Sequence, residues 1–358
     1  MANPLHSGCV SIRSALRQRI IPLPSAAPAD ALRTWNTLLR PYAAPMTGRS
    51  LIQLTVTLAL LVGCFAAMLG LDALAGYWAG LPLSLVAGLL VVRLFIIQHD
   101  CGHYSFFRSR RACDLVGRLL GVLTLTPYAW WKRDHDRHHA ASGDLSRRGH
   151  GDITTLTVRE YRALPGWRRL VYRLYRHPLV LFGIGPVYQF LLRHRLPLGL
   201  RRGDAKGLLS ILGTNAALAL LLAGCGFAFG FLRFTALWLP AVTVAATVGV
   251  YMFFVQHQFA ATYWERHDRW DFVTAALKGC SYFRLPQPLD WLTGSIGYHH
   301  VHHLSARIPN YRLRACFDEV PGLGIATAIT LGQSFRCARL ALWCEDRRRL
   351  LSFREALA

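Results

Sequence analysis

The sequence predicts an all-α integral membrane protein: four transmembrane helices in two hairpins, carrying a cytosolic helical cap. Three observations predict this class. Of the 358 residues, 53% are hydrophobic and only 17% are charged, whereas soluble domains carry about 25% charged residues. The apolar residues are collected into blocks of about 20, the length that spans a bilayer. Nearly all the basic residues lie outside these blocks.

The four apolar blocks are the predicted transmembrane helices. They occupy about residues 51–73, 78–98, 207–229 and 234–256. We therefore divide the chain into a cytosolic N-terminal segment, 1–50, and a membrane domain, 51–358. Because the first apolar run begins only at Leu51, no cleavable signal peptide is expected.

The basic residues predict the orientation of the hairpins. The chain has 41 Lys and Arg against 19 Asp and Glu, a formal net charge of +22. If the blocks pair as hairpins, all the basic residues except Arg93 and Arg233 fall on one side. Basic residues collect on the cytoplasmic side of membrane proteins, so both termini and the middle segment are expected there. No nucleic-acid recognition motif accompanies the charge, so we expect no nucleic-acid partner.

Three groups of histidines have a spacing that predicts metal binding. On a helix, residues three and four apart project from the same face. Imidazole is the commonest metal ligand, and it suits iron, copper, nickel and zinc. The groups are His99 and His103; His135, His138 and His139; and His299, His302 and His303.

A ninth histidine extends the predicted set. His257 follows Gln256 at the end of block four, as His99 follows Gln98 at the end of block two. One metal rarely takes more than about six ligands, so nine imidazoles imply two metals with a position left open. The alternative for His257 is a helix-end histidine satisfied by hydrogen bonds.

The other polar residues near the groups have two possible roles. His300 lies about 100° from the shared helical face, so we expect it behind the ligands or on the surface. The nearby carboxylates either orient imidazole N–H groups or are solvated and offset arginines; they are Asp100, Asp134, Asp136 and Asp152. The remaining histidines are expected to face solvent or the membrane interface; they are His6, His150, His177, His194 and His267.

Other functions fit the sequence less well. A zinc peptidase needs H-E-x-x-H, but the first group reads H-D-C-G-H. A metal transporter would place His or acidic residues in the middle of the spanning blocks. The only charged residues in the blocks are instead Arg93, in the cytosolic third of the second block, and Asp72, at the end of the first. A non-enzymatic membrane scaffold would leave the nine histidines unexplained.

The three histidine groups, in this order around two hairpins, resemble those of the membrane fatty acid desaturase family. Residues 297–304, GYHHVHHL, and 308–312, IPNYR, are similar to the Δ12/ω6-type acyl desaturases, especially bacterial ones. Pro127 and Tyr128 before the second group, and residues 151–154 after it, fit the same family. The resemblance covers about residues 35–350. Related hydroxylases, ketolases and acetylenases share the three groups, so they stay open as alternatives.

The resemblance implies a di-iron centre (Fe2+/Fe3+), with no catalytic side chain beyond the metal ligands and no organic cofactor. It implies an O2-dependent enzyme that introduces a cis double bond into a fatty acyl chain, at a Δ12/ω6-like position. The acyl carrier stays open among CoA, acyl carrier protein and lipid. The expected membrane is the bacterial inner membrane. The iron ligands implied by the resemblance are His99, His103, His135, His138, His139, His257, His299, His302 and His303.

The electrons must come from a separate protein. The chain has no G-x-G-x-x-G within a βαβ pattern, no C-x-x-C and no fused haem-domain pattern. We therefore expect an external donor such as ferredoxin or a cytochrome b5-like protein. A basic cytosolic face, including Arg147 and Arg148, would steer an acidic donor.

Overall fold

The computed structural model describes residues 28–358, which are mostly helical. The helices are α1 (Pro28–Leu39), α2 (Thr47–Ala75), α3 (Tyr77–Gly80), α4 (Leu83–Gly102), α5 (Arg110–Leu123), α6 (Tyr128–Ala141), α7 (Val158–Ala163), α8 (Gly166–Tyr175), α9 (Gly185–Val187), α10 (Ala205–Phe229), α11 (Phe231–His257), α12 (Phe272–Gly279), α13 (Leu289–Leu292), α14 (His299–Leu304), α15 (Asn310–Glu319), α16 (Leu331–Cys337) and α17 (Phe353–Leu357).

Four helices are long and apolar enough to cross a membrane, which confirms that part of the prediction. They are α2, α4, α10 and α11. The second differs from its predicted bounds: it begins at Leu83 rather than near residue 78 and continues to Gly102. Pro82 precedes its first residue. Proline lacks the N–H that would bond to the preceding turn, so it is favoured at the start of a helix and disfavoured inside one. Residues Tyr77–Gly80 form the separate short helix α3.

Glycines separate the helices at the end opposite the histidines. Gly76 lies between α2 and α3 with φ of 82°, and Gly230 lies between α10 and α11 with φ of 86°. Residues with a side chain rarely adopt this backbone region, whereas glycine adopts it at little cost. The chain can therefore reverse tightly at both places.

Helix α4 lies at the centre of the packing. It contacts α2, α5 and α11, while α10 packs against α11. At Gly88 the backbones of α4 and α11 approach so closely that an added Cβ would lie 2.8 Å from the Ala241 carbonyl oxygen. In contrast, α2 and α10 expose large apolar side chains such as Val62 and Leu220. These outward faces suit a hydrocarbon surrounding.

Segment 180–192 packs beside the last turns of α11. It is helical, with wide turns over Val180–Ile184 and Tyr188–Leu192. The Phe182 ring lies 5.2 Å from that of Tyr251 and 5.1 Å from that of Phe254. Ile184 on the same segment is exposed. The segment therefore lies against the last turns of α11.

Two small sheets correct the all-α prediction. The strands are β1 (Leu156–Thr157), β2 (Tyr282–Arg284), β3 (Ala328–Thr330), β4 (Leu340–Cys344) and β5 (Arg349–Ser352). Strand β4 pairs in parallel with β1, Leu342 opposite Leu156, and antiparallel with β5. Strands β2 and β3 pair in parallel, Tyr282 opposite Ala328. Strands this short show no clear alternation of apolar and polar residues, so sequence patterns miss them.

The described part of the N-terminal segment packs onto the rest of the chain. Trp35 and Leu39 of α1 are buried in the main core. An added Cβ at Gly322 would lie 3.2 Å from the Trp35 ring. His6 lies outside the described residues.

Candidate metal centre

The structure brings together all nine histidines of the predicted set. Helix α4 provides His99 in its last turn, and His103 is the residue that follows its end. Helices α6 and α14 provide the second and third groups. Helix α11 ends at His257. Two clusters of side chains form potential metal sites. The first comprises His99, His103, His135, His139 and His302, and the second comprises His257, His299, His303 and Cys280.

The spacing of the nitrogens in the first cluster suits a metal ion. The Nε2 atom of His135 lies 3.1 Å from that of His103 and 3.1 Å from that of His139. The Nε2 atom of His302 lies 3.1 Å from that of His139. Metal–imidazole bonds of about 2.1 Å at right angles place adjacent nitrogens about 3.0 Å apart. The donor set therefore fits one octahedral ion.

The second cluster has the same spacing and includes His138. The Nε2 atom of His257 lies 2.9 Å from that of His299 and 3.2 Å from that of His138. The ring of His303 lies 4.5 Å from that of His299. Three nitrogens therefore converge here, with His303 beside them, and the set fits a second ion.

Burial favours the neutral form of six of these imidazoles. Desolvation lowers the pKa well below its usual range for six of them, and neighbouring imidazoles lower it further; they are His103, His135, His139, His299, His302 and His303. The neutral form is the one that binds a metal. A bound cation would satisfy lone pairs that several neutral rings cannot satisfy for one another.

Two of the four predicted carboxylates contact predicted ligands. The Nδ1–H of His138 donates to Asp152, which directs its Nε2 toward the cluster. Asp100 is buried, with Oδ1 3.4 Å from Nδ1 of His99, and its Oδ2 accepts from the Asn310 backbone N–H at 2.7 Å.

The other two carboxylates lie toward solvent. Asp136 pairs with Lys132 at 2.6 Å on the outer face of α6. Asp134 lies 3.6 Å from the exposed His150. Sequence proximity to a histidine group therefore did not distinguish ligand-orienting carboxylates from solvated ones.

The two Gln-His pairs have related structural roles. The Gln98 Nε2 atom lies 3.4 Å from the Thr126 carbonyl oxygen, just before α6. The Gln256 amide donates to the Ile296 carbonyl at 2.9 Å, just before α14. Each glutamine thus ties the end of a long helix to the segment that leads into a histidine group.

Sequence reasoning missed Cys280, which lies beside His257 in the second cluster. Its Sγ atom is 3.8 Å from the His257 Nδ1 atom, whereas the Nε2 atom of the same ring faces the other histidines. Burial raises the pKa of the Cys280 thiol well above its usual value, so the uncharged thiol holds the ring from behind. An isolated cysteine 23 residues from the histidine carries no sequence pattern that predicts this contact.

Two of the other histidines are buried. His300 is fully buried, with its ring 5.5 Å from Phe317, and burial lowers its pKa to about 3. Of the two positions expected for His300, the surface is therefore excluded and the position behind the ligands stays open. His194 is also buried, with Nδ1 3.1 Å from the Leu125 carbonyl oxygen, so the expectation that it faces solvent or the membrane interface is wrong. Both are enclosed by distant parts of the chain. His150, His177 and His267 are exposed, as expected.

The face around Arg147 and Arg148 is less basic than predicted. Arg147 pairs with the buried Asp144 at 2.7 Å. Arg148 pairs with Glu160 and donates to the Thr155 carbonyl at 2.8 Å. Both arginines are therefore paired with carboxylates of the same chain.

Comparison with known proteins identifies the family. The family model described as fatty acid desaturase matches residues 76–324. The chain belongs to the fatty acid desaturase family. This desaturase is therefore an oxidoreductase of lipid metabolism, as the histidine groups predict.

Individual relatives agree with the family assignment. A fatty acid desaturase of Bacillus subtilis is 42% identical to this desaturase over 315 residues, 87% of this chain and 88% of that protein. An sn-1 acyl-lipid omega-3 desaturase (ferredoxin) of Synechocystis is 27% identical over 84% of this chain and 80% of its own length. An sn-1 oleoyl-lipid 12-desaturase of Synechocystis is 29% identical over 66% of this chain and 67% of its own length.

Proposed function

We propose that this desaturase is an O2-dependent di-iron enzyme that introduces a cis double bond into the acyl chain of a membrane lipid. The observation that carries the proposal is the pair of imidazole clusters at the ends of apolar helices α4 and α11. Bound iron would supply O2 activation and the removal of two hydrogens from adjacent carbons, chemistry beyond any side chain.

The nine histidines divide into two ligand sets. His99, His103, His135, His139 and His302 would hold one iron. His138, His257, His299 and His303 would hold the other. Neither set fills about six coordination positions, so each leaves a place for a further ligand.

Other side chains hold the imidazoles and limit access of water. The Trp131 ring stacks on His135 at 4.7 Å. The Phe253 ring lies 5.1 Å from His138 and 5.0 Å from His257. These apolar rings surround the ligands on the side of the long helices, and excluding water there favours chemistry on an alkyl chain.

The proposed substrate is an acyl lipid desaturated at a Δ12/ω6-like position. Two of the relatives are acyl-lipid desaturases by name, and one of these is an oleoyl-lipid 12-desaturase. An acyl-lipid substrate also suits a centre that adjoins membrane-length helices, because the chain to be oxidised already lies in the bilayer.

We further propose two transmembrane hairpins with the metal centre in a cytosolic cap, within the bacterial inner membrane. The contacts of α2 with α4 and of α10 with α11 support the hairpins. The distribution of Lys and Arg supports the orientation.

Ferredoxin is the proposed electron donor, because one relative carries it in its name. A cytochrome b5-like protein is the alternative donor. Reconstitution with purified ferredoxin and its reductase tests this. We expect turnover that falls with added salt, because salt screens the attraction between the basic desaturase and the acidic donor. Turnover with cytochrome b5 and its reductase, but none with ferredoxin and its reductase, would identify the cytochrome as the donor instead.

Expression in a bacterium whose lipids contain only saturated and monounsaturated chains tests the reaction. We expect mass spectrometry of intact lipids to locate a new double bond at the Δ12/ω6 position, without retained oxygen. Purified enzyme should contain about two irons, in accord with its two ligand sets. A product that retains oxygen would instead identify a hydroxylase or ketolase, and a triple bond would identify an acetylenase.

Two histidine variants make the test specific. His138→Ala should lose iron and activity. The matched control, His150→Ala, removes an exposed imidazole near the same helix and should keep both. Equal activity of the two variants would contradict the assigned ligand set.

A further inference from the structure

A basic cavity lies apart from the histidine clusters. Its volume is about 650 Å³, within the range of small-molecule sites. Helix α8, the turn before β4 and helix α17 form its walls, and no Asp or Glu side chain lines it. Its cationic or titratable lining residues are Arg173, Arg176, His177, Arg339 and Arg354.

Arg176 is a buried cation without an acidic partner among residues 28–358. It is 3% exposed. Its Nη2 atom donates to the Leu340 carbonyl at 2.7 Å and to the Gln258 side-chain oxygen at 3.0 Å. Its Nε atom has no hydrogen-bond partner in the described chain. A buried charge that is compensated only by neutral dipoles is costly, so an anion in the cavity would stabilise it.

The exposed arginines add further donors, most of which bind no other group of the described chain. Arg173 donates through Nε to the Tyr161 hydroxyl at 2.7 Å, and its guanidinium lies over the Phe353 ring. Within residues 28–358, neither Arg339 nor Arg354 forms an ion pair; the nearby Glu355 instead lies 3.9 Å from Arg349. Guanidinium groups bind phosphate oxygens through paired N–H donors.

The neighbouring contacts place this cavity close to the histidine end of α11, where the proposed topology puts the membrane surface. Arg339 follows helix α16, in which the Ser334 hydroxyl lies 2.6 Å from the Tyr251 hydroxyl. Tyr251 precedes the end of α11 by six residues, about 9 Å along a helix. Leu179 and Phe335, on the two segments that flank the cavity, are 74% and 63% exposed. Exposed apolar side chains that could contact lipid therefore lie beside a cationic cavity.

We propose that this cavity binds the phosphate group of a glycerophospholipid in the adjacent leaflet. The arginines would bind the phosphate, and the apolar wall, which includes Phe353 and Leu357, would contact the glycerol and first acyl carbons. Anionic headgroups attract basic residues at this depth. The site is separate from the metal clusters, so it does not depend on the proposed reaction.

Lipid retention by the purified full-length, iron-loaded protein tests the site. The probe is dioleoyl phosphatidylglycerol, with dioleoylglycerol as the phosphate-free comparison, measured by native mass spectrometry from detergent. We expect wild type to retain the phospholipid and not dioleoylglycerol. The double variant Arg339→Glu/Arg354→Glu should retain about tenfold less phospholipid, because the change reverses two charges at the cavity.

The matched control is Arg347→Glu. Arg347 is exposed in the turn of the same β4–β5 hairpin, at the end away from the cavity, about 13 Å along the strand. The Arg347→Glu variant should retain as much phospholipid as wild type. If the double variant lowers the thermal midpoint, the milder pair Arg339→Gln/Arg354→Gln replaces it.

Three results would overturn the proposal. The first is equal retention by wild type and the double variant, or by wild type and the Gln pair if that pair is used. The second is retention of dioleoylglycerol equal to that of the phospholipid. The third is displacement of the phospholipid by millimolar inorganic phosphate, which would assign the site to a soluble phosphate instead. Because retention does not require turnover, an inactive enzyme with normal retention would contradict the proposed function and leave this site intact.

Discussion

Single residues orient the imidazoles of the candidate metal centre. His138 donates through Nδ1 to Asp152, so its Nε2 atom points at that of His257, 3.2 Å away. Cys280 contacts the other nitrogen of His257. Groups behind metal ligands fix both the tautomer and the ring orientation. The geometry of the second cluster therefore depends on residues that do not coordinate the metal.

Asp152→Asn should weaken iron binding. The amide cannot accept the His138 N–H as strongly as a carboxylate does, and loss of such partners typically lowers metal affinity by about 10- to 100-fold. Iron content after dialysis against a chelator measures the effect. Asp136→Asn is the control, because Asp136 pairs with Lys132 instead of a predicted ligand. Equal iron retention by both variants would contradict an orienting role for Asp152.

At the scale of elements, the helix that carries the second histidine group is held by close packing. An added Cβ at Gly117 of α5 would lie 2.3 Å from the Tyr128 ring at the start of α6. The Tyr128 hydroxyl donates to the Cys101 carbonyl at 2.9 Å, in the last turn of α4. Three helices thus meet where the first two histidine groups converge.

Gly117→Ala should destabilise the protein. Overpacking of a filled core costs about 1–3 kcal/mol, because the Tyr128 ring would have to move. The thermal midpoint in detergent should fall relative to wild type. Gly213→Ala is the control, since no other group lies within 4 Å of a Cβ added there. A midpoint for Gly117→Ala as high as that of Gly213→Ala would show that the contact can relax.

The start of α10 predicts a dependence of stability on pH. The side chain of Asp204 accepts from Arg133 Nη1 at 2.9 Å and from the Gly207 N–H at 3.0 Å. The Arg133 hydrogen bond, followed by that of Gly207, lowers the pKa of Asp204 from 3.8 to about 2. A carboxyl group with a lowered folded-state pKa stabilises the fold above its unfolded pKa and loses this effect as pH falls through the folded value.

Wild type should therefore exceed Asp204→Asn in thermal stability at neutral pH, and the difference should shrink between about pH 4 and pH 2. Thermal midpoints measured across this range test the prediction. Asparagine is the appropriate variant because it can still cap a helix, so the comparison isolates the charge. A pH-independent difference between the two proteins would show that Asp204 does not titrate as proposed.

At the scale of the whole molecule, the distribution of Arg and Lys predicts one orientation in the membrane. Gly76 and Gly230 mark the turns at the end of the long helices opposite the histidines. Most basic residues lie in the segments at the histidine end. Because basic segments stay in the cytoplasm, the metal centre and the C-terminus should share that compartment.

Reporter fusions test this orientation. Green fluorescent protein fused after Ala358 should fluoresce, because it folds in the cytoplasm. Alkaline phosphatase fused after Gly76 should be active, because it folds only outside the cytoplasm. With the reporters exchanged, green fluorescent protein fused after Gly76 should not fluoresce, and alkaline phosphatase fused after Ala358 should be inactive. The opposite pattern would invert the proposed topology.

The sequence predicted the parts of the structure that local composition encodes. Membrane-length helices follow from apolar runs, and the shared face of each histidine group follows from spacing on a helix. The resemblance in the histidine groups also led to the family. The start of α4 was misplaced because apolar composition outweighed Pro82, and the short strands were missed because each has too few residues to show a period.

Tertiary structure alone decided which side chains share an environment. Asp152 and Asp136 both lie near the second histidine group, but only Asp152 reaches a predicted ligand. Cys280, His194 and His300 acquired their surroundings from segments far away in the chain. Composition and spacing are properties of neighbouring residues, so the sequence determined the helices and the donor chemistry. Contacts between distant segments depend on how the helices cross and pack. This packing decided the grouping of the nine imidazoles and formed the basic cavity between α8, the turn before β4 and α17.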